Sequence, residues 1–438
     1  MIDASNKQVE KREPIKEPIK SKELERRNDE LILQPWATKY SEADREVEEQ
    51  EDDETYRTNY RRDRDRILYS TAFRRLQYKT QVLVNSAGDH YRTRLTHTLE
   101  VQQLAMSIAD ALGANRDLAE AIALGHDLGH TPFGHAVERV LNKILLSKDQ
   151  GCFSHAIQSA RYVEHLATHK GEQGLNLCIQ VREGILKHDT DIFKSDFGEN
   201  QSKQWNCSSL NPERPGGIEA QIAYWADKIA YLSHDWDDFK TSGLYDEAIK
   251  EKKDEVKELQ EIMNYLTGRE DNNWELRDLI RNLHENLVSY TFNTLKNSNI
   301  NESRDIIKLT ESNMMEHKCN LCKGKQDANK KEILLNSLVV NFEKEYRRQV
   351  LKARDLLGQI YAQSPTVARM DERAECMISE IFHKYETKVH LLPWKTQKKI
   401  EAEGNKCRVI ADHIACMTDR YAYRVYDELF LSRGINYK

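Results

Sequence analysis

The sequence predicts an all-α protein, and three observations carry that reading. Glycine (18) and proline (8) are scarce in 438 residues, which leaves little material for tight hairpin turns. Glu, Lys, Leu, Ala and Arg, the residues that cost a helix least, abound. From about Trp36 to Asp238 the apolar and polar positions alternate with the three-and-four spacing of helix faces.

In chain order, residues 1–34 are dominated by Lys, Glu, Arg, Asp and Asn and can bury little, so a charged, flexible N-terminal tail is expected. Residues 35–240 carry nearly all the chemistry-bearing side chains and are read as the catalytic core. Inside it, Arg61, Arg62, Arg64, Arg66, Arg74, Arg75 and Arg92 form an arginine-rich stretch. Asp63 and Asp65 alternate with it, so a self-paired helix surface accounts for it as well as a ligand does, and no site role is assigned. The segment THTLEVQQLAMSIADAL offers Leu99, Leu104, Ile108 and Leu112 as an apolar stripe. Residues 189–217 are polar and end in NPERPGG, a loop leading into the next helix and bordering a pocket. Residues 241–334 are charged helical stretches with an Asn- and Lys-rich part and no repeat, a variable helical insertion. Apolar periodicity resumes through ADHIACMTDRYAYRVYDELF, so residues 335–438 are read as C-terminal helices packed back on the core.

Four residues dominate the chemistry: His97, the pair His126-Asp127, and Asp227, each in a segment that reads as helix. Imidazole nitrogens and carboxylate oxygens are the donors a catalytic divalent metal takes. In AIALGHDLGH the spacing projects His126 and His130 from one helix face, and Thr131-Pro132 then turns the chain. His135 and Glu138 stand three apart, the geometry for a carboxylate that orients an imidazole and raises its basicity. Asp227, Tyr231 and Asp235 fall at i, i+4 and i+8 with Lys228 beside them, a polar stripe on one helix. These features point to a metallohydrolase.

Other classes are disfavoured. A formal charge of −6 gives no global attraction to nucleic acid or anionic membrane. No apolar run is long enough to span a bilayer and no leader opens the sequence, so a cytoplasmic location is expected. Eight cysteines are scattered without the spacing of a disulfide scaffold, and reduced thiols are expected. Cys319 and Cys322 form a close pair beside His317, but no second pair follows at a usual distance, and no zinc site is assigned.

Six collinear blocks carry a resemblance: RRDRDRILYSTAFRRLQYKTQV, GDHYRTRLTHTLEV, LAEAIALGHDLGHTPFGHAVE, GLNLCIQVREGILKH, EAQIAYWADKIAYLSHDWDD and ADHIACMTDRYAYRVYDELF. From about residue 36 to 435 the chain resembles the deoxynucleoside triphosphate (dNTP) triphosphohydrolases of the HD superfamily, dGTPase-like. The resemblance implies an all-α HD-domain helical fold with additional C-terminal helices. It implies one divalent metal per chain held by His97, His126, Asp127 and Asp227. Mn, Fe, Co, Ni and Mg are the choices, Mn favoured and Mg suiting the donors least. The implied activity is hydrolysis of dNTPs to deoxynucleoside and intact tripolyphosphate.

Further roles carry over position by position. Gln81 and Asp235 match the residues that contact the sugar 3′-hydroxyl, Arg94 and Lys228 those that bind phosphate, and Tyr231 the tyrosine beneath the deoxyribose. His130, His135 and His155 match positions for phosphate contact or proton transfer, with Glu138 as the partner of His135. Val137, His413 and Cys416 depart from the family's usual Gly, Tyr and Gly, which bears on local helix packing and touches no implied ligand. The family also implies a homo-oligomer, hexamers among its forms, and allows single-stranded DNA or an allosteric dNTP as further partners. Two alternatives stay open: another HD-type nucleotide phosphohydrolase, and a nucleotide- or single-stranded-DNA-binding regulatory protein.

Overall fold

The computed structural model describes residues 17–49, 56–81, 92–189, 210, 214–269, 273–322 and 330–431. Nineteen α-helices and one short hairpin are seen among them. The first eight helices are α1 (Ser21–Leu31), α2 (Asn59–Leu68), α3 (Thr71–Arg75), α4 (Arg94–Leu112), α5 (Arg116–Gly125), α6 (His135–Ser147), α7 (His155–Arg161) and α8 (Ile179–Lys187). Between α7 and α8 an antiparallel hairpin sets Thr168 opposite Gln173 and His169 opposite Glu172. The long α9 (Ile218–Thr241) is followed by α10 (Leu244–Glu251), α11 (Lys253–Thr267), α12 (Leu276–Asn297), α13 (Arg304–Cys322) and α14 (Lys330–Ser337). The chain closes with α15 (Lys344–Gln363), α16 (Pro365–Thr387), α17 (Trp394–Glu403), α18 (Lys406–Ala415) and α19 (Asp419–Phe430). The fold is all-α, as the composition predicts.

The helices begin where cap chemistry starts them. Thr93 and Thr96 form a reciprocal capping box at the start of α4, and the Asn115 side chain accepts the Leu118 N–H at the start of α5. Gly113, at φ +64, ends α4 in the left-handed conformation. These two helices pack on each other and on α9, while α2 and α8 cover the far side of α5.

Three apolar clusters hold the molecule together, and each ends at the same place. The first runs from α4 and α9 through α10–α15 and includes Trp225 and Ala226, next to Asp227. The second joins α2, α3, α5, α7 and α8 and includes Leu124 and Leu128, which bracket His126 and Asp127. The third joins α6, α16, α18 and α19 and includes Phe133 and Val137, which bracket His135. Helices α10–α14 share their core with α9. Arg161 of α7 and Arg408 of α18 close on Asp412, also in α18, a buried ion-pair cluster.

Two expectations need correction. The charged N-terminal segment carries α1, because Arg26 pairs with Glu23 and Glu30 along the helix and Asp29 accepts the backbone N–H groups of Tyr40 and Ser41. Leu99 is 44% exposed and does not belong to an α4 stripe. Leu99 and Leu104 are five residues apart and point to different faces; the buried face is His97, Thr98, Val101, Ala105, Ile108, Ala109 and Leu112.

Among the described residues no helix is long and apolar enough to cross a membrane. Cys178, Cys376, Cys407 and Cys416 are free thiols. The Cys319–Cys322 pair falls in the last turn of α13, and its side chains lie outside the described residues, as does nearly all of the 189–217 loop.

Candidate active site

Three segments bring the implied metal donors together. His97 projects from the first turns of α4, Asp227 from the middle of α9, and His126 and Asp127 from the turn that ends α5. His97 Nε2 stands 3.0 Å from Asp227 Oδ1, and His126 Nε2 stands 3.8 Å from the same oxygen and 3.5 Å from Asp127 Oδ1. Two ligands about 2.1 Å from one metal and at right angles are about 3.0 Å apart. His126 donates from Nδ1 to the Ala123 carbonyl at 2.6 Å, which leaves Nε2 as a bare lone pair. That atom is buried and has no hydrogen-bond partner. An orphaned acceptor facing two carboxylates is what a divalent cation satisfies, so the donors fit a metal.

The ligands are held from behind. Nδ1 of His97 lies 3.2 Å from His234 Nδ1, and His234 in turn pairs through Nε2 with Glu100, a relay of the kind that orients metal-bound imidazoles. Arg94 donates to Asp127 Oδ2 at 2.8 Å and Lys228 to Asp227 Oδ2 at 2.9 Å. Burial pushes both carboxyls up, but His126 and Arg94 at Asp127, and Lys228 and His97 at Asp227, hold them well below the usual carboxylate range. Both are carboxylates at any working pH.

Beside these donors runs a row of imidazoles. α5 stops at Gly125, one residue before His126, and the Gly129 N–H bonds the Ser159 hydroxyl at 2.8 Å instead of continuing a helical ladder. His126 and His130 therefore do not project from one helix face, contrary to the spacing argument. His130 falls after the turn and stacks on His155 with ring centroids 4.7 Å apart. The chain then passes through Phe133 and Gly134, both at positive φ, before α6 begins at His135. Glu138 Oε2 accepts from His135 Nδ1 at 3.1 Å and lies 3.2 Å from His155 Nδ1, so one carboxylate serves two imidazoles. Burial works against the charge on His155, but Glu138 outweighs it and raises that ring to about 9; burial, and then Arg94, drive His130 well below its ordinary value.

A cavity of about 500 Å³ opens onto this centre, lined by Gln81, Arg94, His97, Asp127, His130, His135, His155, Asp227, Lys228 and Tyr231. Of the predicted residues, His126, Glu138 and Asp235 stand behind the wall. Asp235 is buried, hydrogen-bonded to Tyr231, and raised far above a normal carboxyl by burial and by Asp238. Its Oδ1 and Gln81 Oε1 are buried without partners. The opposite wall comes from α15, through Arg354, Asp355, Gly358 and Gln359. Sequence reasoning missed these, and also missed His188, Asp189 and His234. A signal for the last three was present, because His–Asp dipeptides occur at 126, 188 and 234 and all three reach the site.

Fold and site together define a helical, metal-dependent phosphohydrolase. The HD domain model matches residues 94–232, and the phosphohydrolase-associated domain model matches residues 340–428. The deoxyguanosinetriphosphate triphosphohydrolase-like protein of Azoarcus sp. (strain BH72) is 38% identical over 379 residues, covering 85% of this chain and 90% of that protein. The protein of the same description from Nitrosomonas europaea is 37% identical over 379 residues, 85% of this chain and 91% of its own. That from Rickettsia bellii is 35% identical over 379 residues, 86% and 92% respectively. The chain belongs to this deoxyguanosinetriphosphate triphosphohydrolase-like family of HD phosphohydrolases.

Proposed function

We propose that this protein hydrolyses dNTPs, dGTP among them, to deoxynucleoside and inorganic tripolyphosphate by attack of water at the α phosphorus. The divalent metal is assigned to His97, His126, Asp127 and Asp227. The observation that carries the reading is one cavity shared by metal donors, by the cations Arg94 and Lys228, and by the ring of Tyr231. Metal alone suits any HD hydrolase; the added cations suit a polyphosphate and the added ring suits a sugar. The relatives' names support a deoxyguanosine nucleotide.

Bound at that donor set, an ion of the Mn, Fe, Co or Ni type supplies Lewis acidity to the α-phosphate and to water. The other work falls to the chain. Arg94 and Lys228, fixed on Asp127 and Asp227, neutralise phosphate oxygens at the cavity wall, with His130 beside them. His135, half-exposed at 51%, accepts the proton of the attacking water at Nε2, while its Nδ1–H bond to Glu138 fixes that tautomer and stabilises the imidazolium. The new bond forms between water oxygen and α phosphorus, the bond from that phosphorus to the 5′-oxygen breaks, and the proton ends on the departing 5′-oxygen. Tyr231 beneath the deoxyribose excludes a 2′-hydroxyl, and Gln81 with Asp235 reads the 3′-hydroxyl.

The test is incubation of purified, manganese-loaded protein with each of the four dNTPs and with GTP, products being resolved by anion exchange. Deoxynucleoside with intact tripolyphosphate, absent in Asp127→Ala, is the expected result. Release of pyrophosphate or single phosphate would assign a different HD chemistry and overturn the proposal.

A further inference from the structure

We propose that Asp419 is a positioning residue: from the first turn of α19 its carboxylate ties the segment carrying Gln81 to the turn carrying His135, and so sets two walls of the cavity against each other. The inference deepens the proposed function and rests on it for the roles of Gln81 and His135.

An aspartate in the first turn of a helix ordinarily faces water or the free N–H groups of its own helix. Asp419 does neither. It is 7% exposed, and α19 is capped by its neighbour Thr418, whose hydroxyl oxygen accepts the Tyr421 N–H. The donors to Asp419 come from far along the chain. Oδ2 accepts the Thr80 N–H at 2.9 Å and also the Thr80 hydroxyl, and Oδ1 accepts the Phe133 N–H at 3.0 Å. Burial pushes this carboxyl up, and the bonds from Thr80 and Phe133 pull against it. A carboxylate is the group that fits, because both of its oxygens accept. An amide of the same size presents an acceptor at one end and a donor at the other. In Asp419→Asn the backbone N–H of either Thr80 or Phe133 therefore meets another N–H, whichever way the amide turns.

Each tied segment leads straight to the cavity. Thr80 precedes Gln81, and Phe133 stands just ahead of Gly134 and His135; both Gln81 and His135 line the wall. The Phe133 position is conformationally demanding. Its φ is +57, which a residue with a β-carbon rarely adopts, and Gly134 follows at +61. This pair turns the chain into α6, whose first residue is His135. α19 grips the turn at a second point, where the ring of Tyr423 meets that of Phe133 edge-on with centroids 5.0 Å apart. Once the bond to Asp419 is lost, Phe133 can relax towards negative φ, and the start of α6 moves with it. The two tied segments also press on each other. A Cβ on Gly134 would lie 3.4 Å from the Gln81 carbonyl oxygen and 3.4 Å from Arg94 Nη2, so a shift in one reaches the other and the phosphate-facing arginine.

The rival account is that Asp419 only seats α19 on the core, so that its loss lowers stability and leaves the folded protein kinetically normal. Measurements on the full-length, manganese-loaded protein separate the two. In Asp419→Asn, hydrogen–deuterium exchange read by mass spectrometry without substrate should rise in the peptides carrying Thr80 or Phe133 and keep the wild-type rate in α5 and α9. The kcat for dGTP should fall by about tenfold to a hundredfold, the scale of a reacting group displaced by about 1 Å. Thr80→Val removes only the hydroxyl donor and should lower kcat/KM by about threefold to tenfold, the scale of one hydrogen bond, while Thr80→Ser keeps that donor and should match the wild type. Unchanged exchange at both segments, or kcat within about threefold of wild type in a folded Asp419→Asn, overturns the inference. So does a Thr80→Ser as impaired as Thr80→Val, which would trace the defect to packing rather than to the bond, and this pair decides if Asp419→Asn does not fold. Failure of the nucleotide reading is distinguishable, since exchange is measured without substrate. Local loosening in a protein whose wild type hydrolyses no dNTP leaves the tie standing, and wild-type tripolyphosphate release with a kinetically normal Asp419→Asn does the reverse.

Discussion

Lys79 is 2% exposed, and its ammonium is buried beneath the turn that carries His130. It donates to the carbonyl of His130 and, at 2.8 Å, to that of Ala415, joining that turn to the end of α18. Burial lowers its pKa from 10.5 to about 8, with Asp419 nearby offsetting part of the cost. Because the folded value lies below the unfolded one, the unfolded chain binds more protons between about pH 8 and 10.5, and stability rises with pH across that window. Below it both states are protonated and the folded state bears the full burial cost, about 3 kcal/mol. Lys79→Met cannot titrate, so comparing the two proteins cancels every other group. Between pH 7 and 9.5 the wild type should gain about 2 kcal/mol on the variant. Urea unfolding at a series of pH values measures this, and a difference that stays flat across the window refutes the account of a strained buried ammonium. The variant should also turn over more slowly, since the His130 carbonyl loses its donor and the turn its anchor.

Four further outcomes follow from the site. Chelation should lower the melting temperature and Mn(II) should restore it, since a ligand at a hundred times its dissociation constant adds about 3 kcal/mol; calorimetry showing no change would argue against a metal at these donors. His135→Ala should cut turnover by about a hundredfold or more while dNTP binding, read by calorimetric titration, persists; turnover within a few fold of wild type would remove His135 as the base. Tyr231→Ala should narrow the preference for dGTP over GTP by about tenfold, measured as a ratio of kcat/KM, and an unchanged ratio would locate the sugar filter elsewhere. Gly184→Ala drives a methyl to 2.3 Å from Ile122 Cδ1, so urea unfolding should show a loss of about 1–3 kcal/mol, and an unaltered midpoint would mean that α8 moves freely on α5.

What the sequence made legible depended on whether a feature was local. Asp227, Tyr231 and Asp235 share one uninterrupted helix, so their spacing translates directly into a shared face, with Lys228 beside it. His135 and Glu138 stand three apart in α6, and they touch. The AIALGHDLGH reading failed for a physical reason that spacing does not contain: α5 ends because Gly129 bonds across to Ser159, a residue 30 positions away. The α15 wall was illegible for the same reason. Arg354 and Asp355 meet the cavity only because α15 packs on α9, and nothing in their own neighbourhood marks them. His188 stayed illegible although it begins a second His–Asp pair, because it meets His126 and His155 only where α8 approaches α5 through Gly125 and Gly184.

The centre is also a stability problem, which ties its chemistry to its fold. Six imidazoles, His97, His126, His130, His135, His155 and His188, form a continuous row of ring contacts. Solvated histidines would relieve crowding by taking up protons, but burial opposes that at His126, His130 and His188, and His188 falls to about 3 because burial and the neighbouring His126 and His155 all oppose its charge. His97, His126, His135, His155 and His188 instead turn one nitrogen outward, to a carbonyl, a carboxylate or another imidazole, and the other inward. An inward lone pair left unpaired inside the protein costs about 1–3 kcal/mol. No apolar rearrangement recovers that energy, because the outer nitrogens pin the rings to α5, α6, α8 and α9. A cation satisfies an inward lone pair such as His126 Nε2, so the same hydrogen bonds that make the site costly to fold make it ready to bind.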